Sequence, residues 1–188
     1  MVAEETQEKG RRGVAEVKTW LEATTHLSMS WDAYEFPVQC TRKRLDGELK
    51  RYDLAGKFIG EKKRPVVVEA KSYETPGHQG SAYQEFLANA YSTTAYEIAE
   101  IGDSKTEFIW VTTHPFSLNK WPNLTSRSML KSAIEALPEC LGGESIDEDL
   151  LTAVAERLWL LVRHERQNEI SLTNLELMSI YQHLGRHP

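Results

Sequence analysis

The chain has 188 residues, two cysteines and a formal net charge of −6. That length suffices for one domain with a core that folds without disulfides. Cys40 and Cys140 are too isolated for a bridge framework or a metal-ligand spacing, which suits a reducing cytoplasm. Residues 1–12 are polar and charged, and no run approaches the roughly 20 apolar residues that span a bilayer, so neither a secretion signal nor a membrane span is expected.

Residues 1–10 read as a flexible tail. From Arg11 to about Thr24, Val14, Val17, Trp20 and Leu21 recur at helical spacing, with Glu16 off their stripe. Residues 31–45 mix aromatic, β-branched and polar residues and predict a strand, which Pro37 places at an edge or bulge. Asp46-Gly47 is a turn signal. A second strand is expected over Arg51–Ile59, a charged hairpin turn over Gly60–Arg64, and a third strand over Pro65–Lys71. The run Val66-Val67-Val68 does not alternate with polar residues, so that strand should be central and buried on both faces.

Ser72–Gly80 reads as a loop and Ser81–Ile101 as a long helix with Tyr83, Phe86, Leu87, Ala90, Tyr91 and Ile98 on its core face. Phe108–Thr113 predicts a fourth strand. Helices follow over about 126–137, 147–166 and 172–184, with Gly142-Gly143 as a break. The order is helix, three strands, helix, strand, helices. It predicts an α/β fold, a mixed sheet flanked by helices, with a core over 11–125 and a C-terminal helical extension over 126–188.

The net charge argues against nucleic acid, but its distribution does not. Ten Lys/Arg stand against five acids between Thr41 and Lys71. Arg42, Lys43, Arg44, Lys62 and Lys63 are candidate phosphate contacts on a locally basic surface. Alternatively, they solvate exposed strand edges. His78, in the loop after the third strand, is a further candidate contact or a solvated side chain.

The chemistry concentrates in Asp53 and Glu69-Ala70-Lys71. A hairpin centred near Glu61-Lys62 sets residue 53 across from position 70 or 71, within about 5 Å. Glu69 and Lys71 share a face of their strand. Two carboxylates about 4 Å apart repel by roughly 4 kcal/mol at an effective dielectric of 20. A divalent cation offsets that repulsion, and hard carboxylate oxygens suit Mg²⁺ or Mn²⁺. The Ala70 carbonyl is a further candidate ligand. Lys71 would orient or deprotonate a metal-bound water, or stabilise developing negative charge.

Asp53, fifteen residues, then Glu69-x-Lys71 on an apolar strand resembles the PD-(D/E)xK superfamily, whose restriction-endonuclease-like fold has the element order read above. The resemblance covers about residues 11–115. It implies a metal-dependent nuclease acting on DNA, as a homodimer or with a partner subunit, in a restriction, defence, recombination or repair system. It implies that Glu16, on the first helix, is a further metal ligand, and that Gln84, on the helix after the lysine strand, binds DNA or positions the motif. Tyr52 stands where the family name has proline. Tyr91 follows Gln84 at a wider spacing than the family's compact motif and is otherwise a core residue. Two other readings stay open: a salt-bridged strand end with no site, and a subunit that keeps the fold and binds DNA or protein without cutting. The apolar stripe Leu150, Leu151, Val154, Leu158, Leu161 is expected to be core or a dimer face.

Overall fold

The computed structural model describes residues 2–24, 26–59, 63–72 and 79–184. The elements are α1 (Val2–Thr24), β1 (Leu27–Asp32), β2 (Thr41–Lys43), β3 (Leu49–Arg51), β4 (Leu54–Phe58), β5 (Pro65–Lys71), α2 (Gly80–Glu100), β6 (Glu107–Thr112), α3 (Arg127–Ala136), α4 (Glu148–Ala155), β7 (Leu158–Val162) and α5 (Asn174–Leu184). Among the described residues, β1-β4-β5-β6-β7 form a five-stranded sheet and β2-β3 a separate two-stranded ribbon. β1, β4 and β5 run antiparallel, and β6 and β7 add in parallel. This is the mixed α/β sheet flanked by helices that the element order predicts. No described helix is long and apolar enough to cross a membrane.

The two sheet faces are covered differently, which explains the unbroken valine run. Val66 and Val68 pack with Val14, Val17, Trp20 and Leu21 of α1, together with Ile109 and Val111 of β6. Val67 points the other way, into a core built with Tyr83, Phe86 and Leu87 of α2, Leu130 and Ile134 of α3, and Leu151 and Val154 of α4. Side chains alternate along a strand, so a strand covered on both faces needs apolar residues at every position. All six residues of β6 are buried for the same reason.

Several boundaries differ from expectation. α1 begins at Val2, so the described part of the tail expected over 1–10, residues 2–10, is helical backbone. The strand expected over 31–45 is two strands separated by a loop. Asp32 Oδ1 accepts from the backbone N–H of Tyr34 and Glu35 and turns the chain as β1 ends. The expected strand 51–59 is divided between β3 and β4, with Tyr52 and Asp53 between them. Asp46-Gly47 does make the turn between β2 and β3: Gly47 has φ +88° and donates to the Arg44 carbonyl.

The helix expected over 147–166 is α4 followed by β7, so the C-terminal third gives a strand to the main sheet instead of only helices. Leu151, Val154 and Leu158 are in the core. Arg157 makes the junction between α4 and β7. Its N–H donates to the Val154 carbonyl, and its guanidinium grips Asp103 at 2.8 and 2.7 Å.

β1 carries a bulge between Ser28 and Trp31, opposite Gly56. A Cβ on Gly56 would collide with the Ser28 carbonyl oxygen and meet the Met29 backbone at 2.9 Å. The bulge therefore needs glycine at this point of β4.

Candidate metal and nucleic-acid site

The β4–β5 register is Leu54↔Val68, Ala55↔Val67, Gly56↔Val66 and Lys57↔Pro65. It extends to Asp53 opposite Glu69, one or two residues tighter than position 70 or 71. The Asp53 N–H donates to the Val68 carbonyl at 2.9 Å, and the Ala70 N–H donates to Asp53 Oδ2 at 2.8 Å. Asp53, Glu69, Ala70 and Lys71 thus meet at one sheet end, as expected. The expected turn centre at Glu61-Lys62 lies outside the described residues.

Glu69 and Lys71 share the face of Val67, the α2 side. Lys71 Nζ lies 5.8 Å from the centroid of the Trp110 ring and 2.8 Å from Glu69 Oε1. A second ammonium, Lys50 Nζ on β3, lies 3.1 Å from Glu69 Oε2. That oxygen is buried and has no aligned hydrogen bond, so its contact with Lys50 is an ion pair alone. Burial, then the Glu69 charge, push the Asp53 carboxyl up to about 6; the Ala70 N–H and the charges of Lys71 and Lys50 offset this in part.

This donor set fits a hard divalent cation in part. It has two carboxylates on register-paired positions, one of them with a pKa raised by burial and then by its acidic neighbour, a buried oxygen without an aligned donor, and the Ala70 backbone beside them. Among the described residues, no group of three or more His, Cys, Asp or Glu is gathered closely enough to hold a metal ion. Water or phosphate oxygens would have to complete the coordination.

Glu16 does not join the pair. α1 packs on the sheet face opposite to Glu69 and Lys71, and the Glu16 carboxylate pairs with buried Arg163 at 3.1 Å and with Arg12 at 3.3 Å. Gln84 is also elsewhere. Tyr83, Phe86 and Leu87 take the buried side of α2, which turns Gln84 to the exposed side. There it borders a groove with Arg44, Glu85, Asn89 and Glu139 that none of Asp53, Glu69 or Lys71 lines. Tyr91 is core, its hydroxyl accepting from the Asp147 N–H.

The basic candidates separate into engaged and open residues. Arg44 is held by Asp46 and by Asn89 Oδ1 at 3.1 Å. Arg42 donates to the carbonyls of Gln39 and Thr41. Lys43 Nζ sits 5.0 Å from the Tyr96 ring centroid. Lys63 is exposed. Lys62 and His78 lie outside the described residues.

Two residues near the site escaped the sequence reading. Lys50 was only one charge in a basic run, although its place three residues before Asp53 is the signal that could have singled it out. Gln79 is fully buried at the start of α2; it accepts from Thr112 Oγ1 at 2.7 Å and donates to the His114 carbonyl at 3.1 Å. Thr112 is the register partner of Lys71. The glutamine that ties α2 to this end of the sheet is therefore Gln79, five residues before Gln84.

No protein-family model matches the chain, and no curated protein matches it. Among solved structures, a Moraxella osloensis Cap4 SAVED/CARF-domain containing receptor is similar at a TM-score of 0.38 and 11% identity, over 96% of this chain and 37% of that one. The chain spans just over a third of that receptor, and a likeness this loose assigns neither fold nor function.

Proposed function

We propose that the chain is a metal-dependent nuclease that hydrolyses phosphodiester bonds in DNA, on the PD-(D/E)xK pattern. The observation that carries this reading is the β4–β5 register. It sets Asp53 against Glu69 in a partly desolvated place, beside Lys71, with the Asp53 carboxyl raised to about 6. Like charges held together at a fold's expense mark functional sites more often than structural ones.

Asp53 and Glu69 would hold Mg²⁺ or Mn²⁺, with the Ala70 carbonyl as a further ligand. When bound, the metal polarises a phosphoryl oxygen and acidifies a water. Lys71 is fixed by Glu69 and by the Trp110 face, so its ammonium is positioned to orient the attacking water or to stabilise charge on the phosphoryl group. Lys43 and Lys63 would meet the strand backbone. Cutting both strands of a duplex would take two such sites, so a homodimer or a partner subunit belongs to the proposal.

One observation favours a second reading. Both Glu69 oxygens already face an ammonium. A salt-bridged strand end of this kind suits a subunit that binds DNA or protein without cutting it. Incubation with plasmid, linear and single-stranded DNA in Mg²⁺ and in Mn²⁺ separates the two. Cleavage by the wild type that is lost in Asp53→Ala and Lys71→Ala supports the nuclease. No cleavage, or equal cleavage by the variants, leaves the binding subunit.

A further inference from the structure

Lys50 reaches the site from outside the main sheet. It belongs to the β2–β3 ribbon, where it is the register partner of Arg42. Partners in an antiparallel pair share a face, so Arg42 and Lys50 stand together on the side turned toward Glu69. Lys43 and Arg51 stand on the other face, and both are exposed. The ribbon thus presents basic side chains outward and one ammonium inward.

That ammonium sits on Glu69, one of the two carboxylates that would hold the cation. Lys50 Nζ is 3.1 Å from Glu69 Oε2, its charge also bears on Asp53, and it rests 5.5 Å from the centroid of the Tyr52 ring. Its hold on Glu69 has no aligned hydrogen bond. A charge-assisted hydrogen bond is directional and about twice as strong as a neutral one. An unaligned contact lacks that restraint, and a competing ion displaces it more readily. The side chain is partly exposed, at 17%, and so has a way out.

We propose that Lys50 holds the cation's place at Glu69 in the absence of nucleic acid. It moves to a backbone phosphate when a strand lies along the β2–β3 ribbon, so that nucleic acid and divalent metal each strengthen the binding of the other. The inference rests on the metal-site reading above. It makes Lys50 a positioning residue: the ammonium neutralises Glu69 while the site is empty of metal and neutralises phosphate once the strand is bound. Coupling of this kind is reciprocal by necessity, and values of roughly 5- to 150-fold are usual.

The test is Mn²⁺ binding, followed by loss of the free-ion electron paramagnetic resonance signal, in the full chain. Wild type, Lys50→Met, Lys50→Arg and Asp53→Asn are titrated with and without a phosphorothioate oligonucleotide. Lys50→Met should bind Mn²⁺ at least about fivefold more tightly than wild type, while Lys50→Arg, which keeps the charge, stays near wild type. The oligonucleotide should tighten Mn²⁺ binding by a larger factor in wild type than in Lys50→Met, where only phosphate oxygens acting as metal ligands remain to couple the two. Equal or weaker binding by folded Lys50→Met overturns the proposal. So does a wild-type affinity that ignores the oligonucleotide, and that arm needs no variant to fold. If Mn²⁺ binds wild type and Asp53→Asn abolishes it, such a failure belongs to the Lys50 proposal alone. If Mn²⁺ does not bind wild type at all, the metal-site reading fails with it.

Discussion

Asp53→Asn should make the metal-free protein more stable at neutral pH. The substitution keeps an oxygen to accept from the Ala70 N–H and removes the charge that opposes Glu69. The carboxyl stands near 6 in the folded chain against an ordinary 3.8. At about 1.4 kcal/mol per pH unit, that difference is worth roughly 2–3 kcal/mol. A pKa raised by folding contributes stability that is fully present below the ordinary value and is lost as pH rises through the folded one. Wild type should therefore lose stability between about pH 4 and pH 6–7 from this group, and Asp53→Asn should lack that loss. Urea unfolding at pH 4.5 and pH 7.5 reads the effect directly: the variant's advantage should appear at pH 7.5 and shrink toward pH 4.5. Added Mn²⁺ should stabilise wild type and not the variant, because only a ligand of the folded state shifts its unfolding. A variant that is less stable than wild type at pH 7.5 would refute the reasoning, since it would show Asp53 to be a supporting strand-end residue.

Gly56→Ala should cost about 3 kcal/mol or more in chemical denaturation, because the new Cβ runs into the Ser28 carbonyl and Met29 and no rotamer change relieves a clash with backbone; an unchanged midpoint would mean the β1 bulge is not as described. Arg157→Ala should cost about 3 kcal/mol at pH 7 by breaking the paired bonds to Asp103. Those bonds hold the Asp103 carboxyl well below its ordinary range, so their contribution is present above that range and lost in acid, and the variant's deficit should narrow on acidification. Gln79→Ala should destabilise by about 1–3 kcal/mol, as it removes two hydrogen bonds of a fully buried side chain that tie α2 to Thr112 and the His114 carbonyl, whereas Gln84→Ala should stay within about 0.5 kcal/mol. Equal effects of the two glutamine substitutions in thermal melts would contradict their placement.

The parts of the fold that were legible in the sequence are those where one physical demand dominates. β5 and β6 lie under helices on both faces, and Val66-Val67-Val68 and Phe108–Val111 record that demand directly. That the hairpin brings Asp53 to the Glu69 end of β5 was readable to within one or two residues, because an antiparallel pairing constrains which strand ends meet. β7 was not readable. Leu150, Leu151, Val154, Leu158 and Leu161 satisfy a helical period, yet the last two lie on a strand, and a short apolar run fits either state. What decides is tertiary: Arg157 is anchored to Asp103, fifty-four residues away, and β6 offers an edge to pair with.

The site was half legible for a similar reason. Spacing within a hairpin is local, so Asp53, Glu69 and Lys71 could be brought together from sequence. Which face of the sheet α1 covers is not local, and that face keeps Glu16 with Arg163. Treating 51–59 as one strand hid the break at Tyr52-Asp53. That break separates β3 from β4 and lets Lys50 approach Glu69 from the ribbon.

A cation site formed by Asp53 and Glu69 can be seen in a crystal of the full chain soaked in Mn²⁺ and measured for anomalous scattering. A peak is expected within about 2.0–2.6 Å of carboxylate oxygens from both residues, with Lys50 Nζ displaced from Glu69. A peak bound elsewhere, or none with Lys50 still on Glu69, would contradict it.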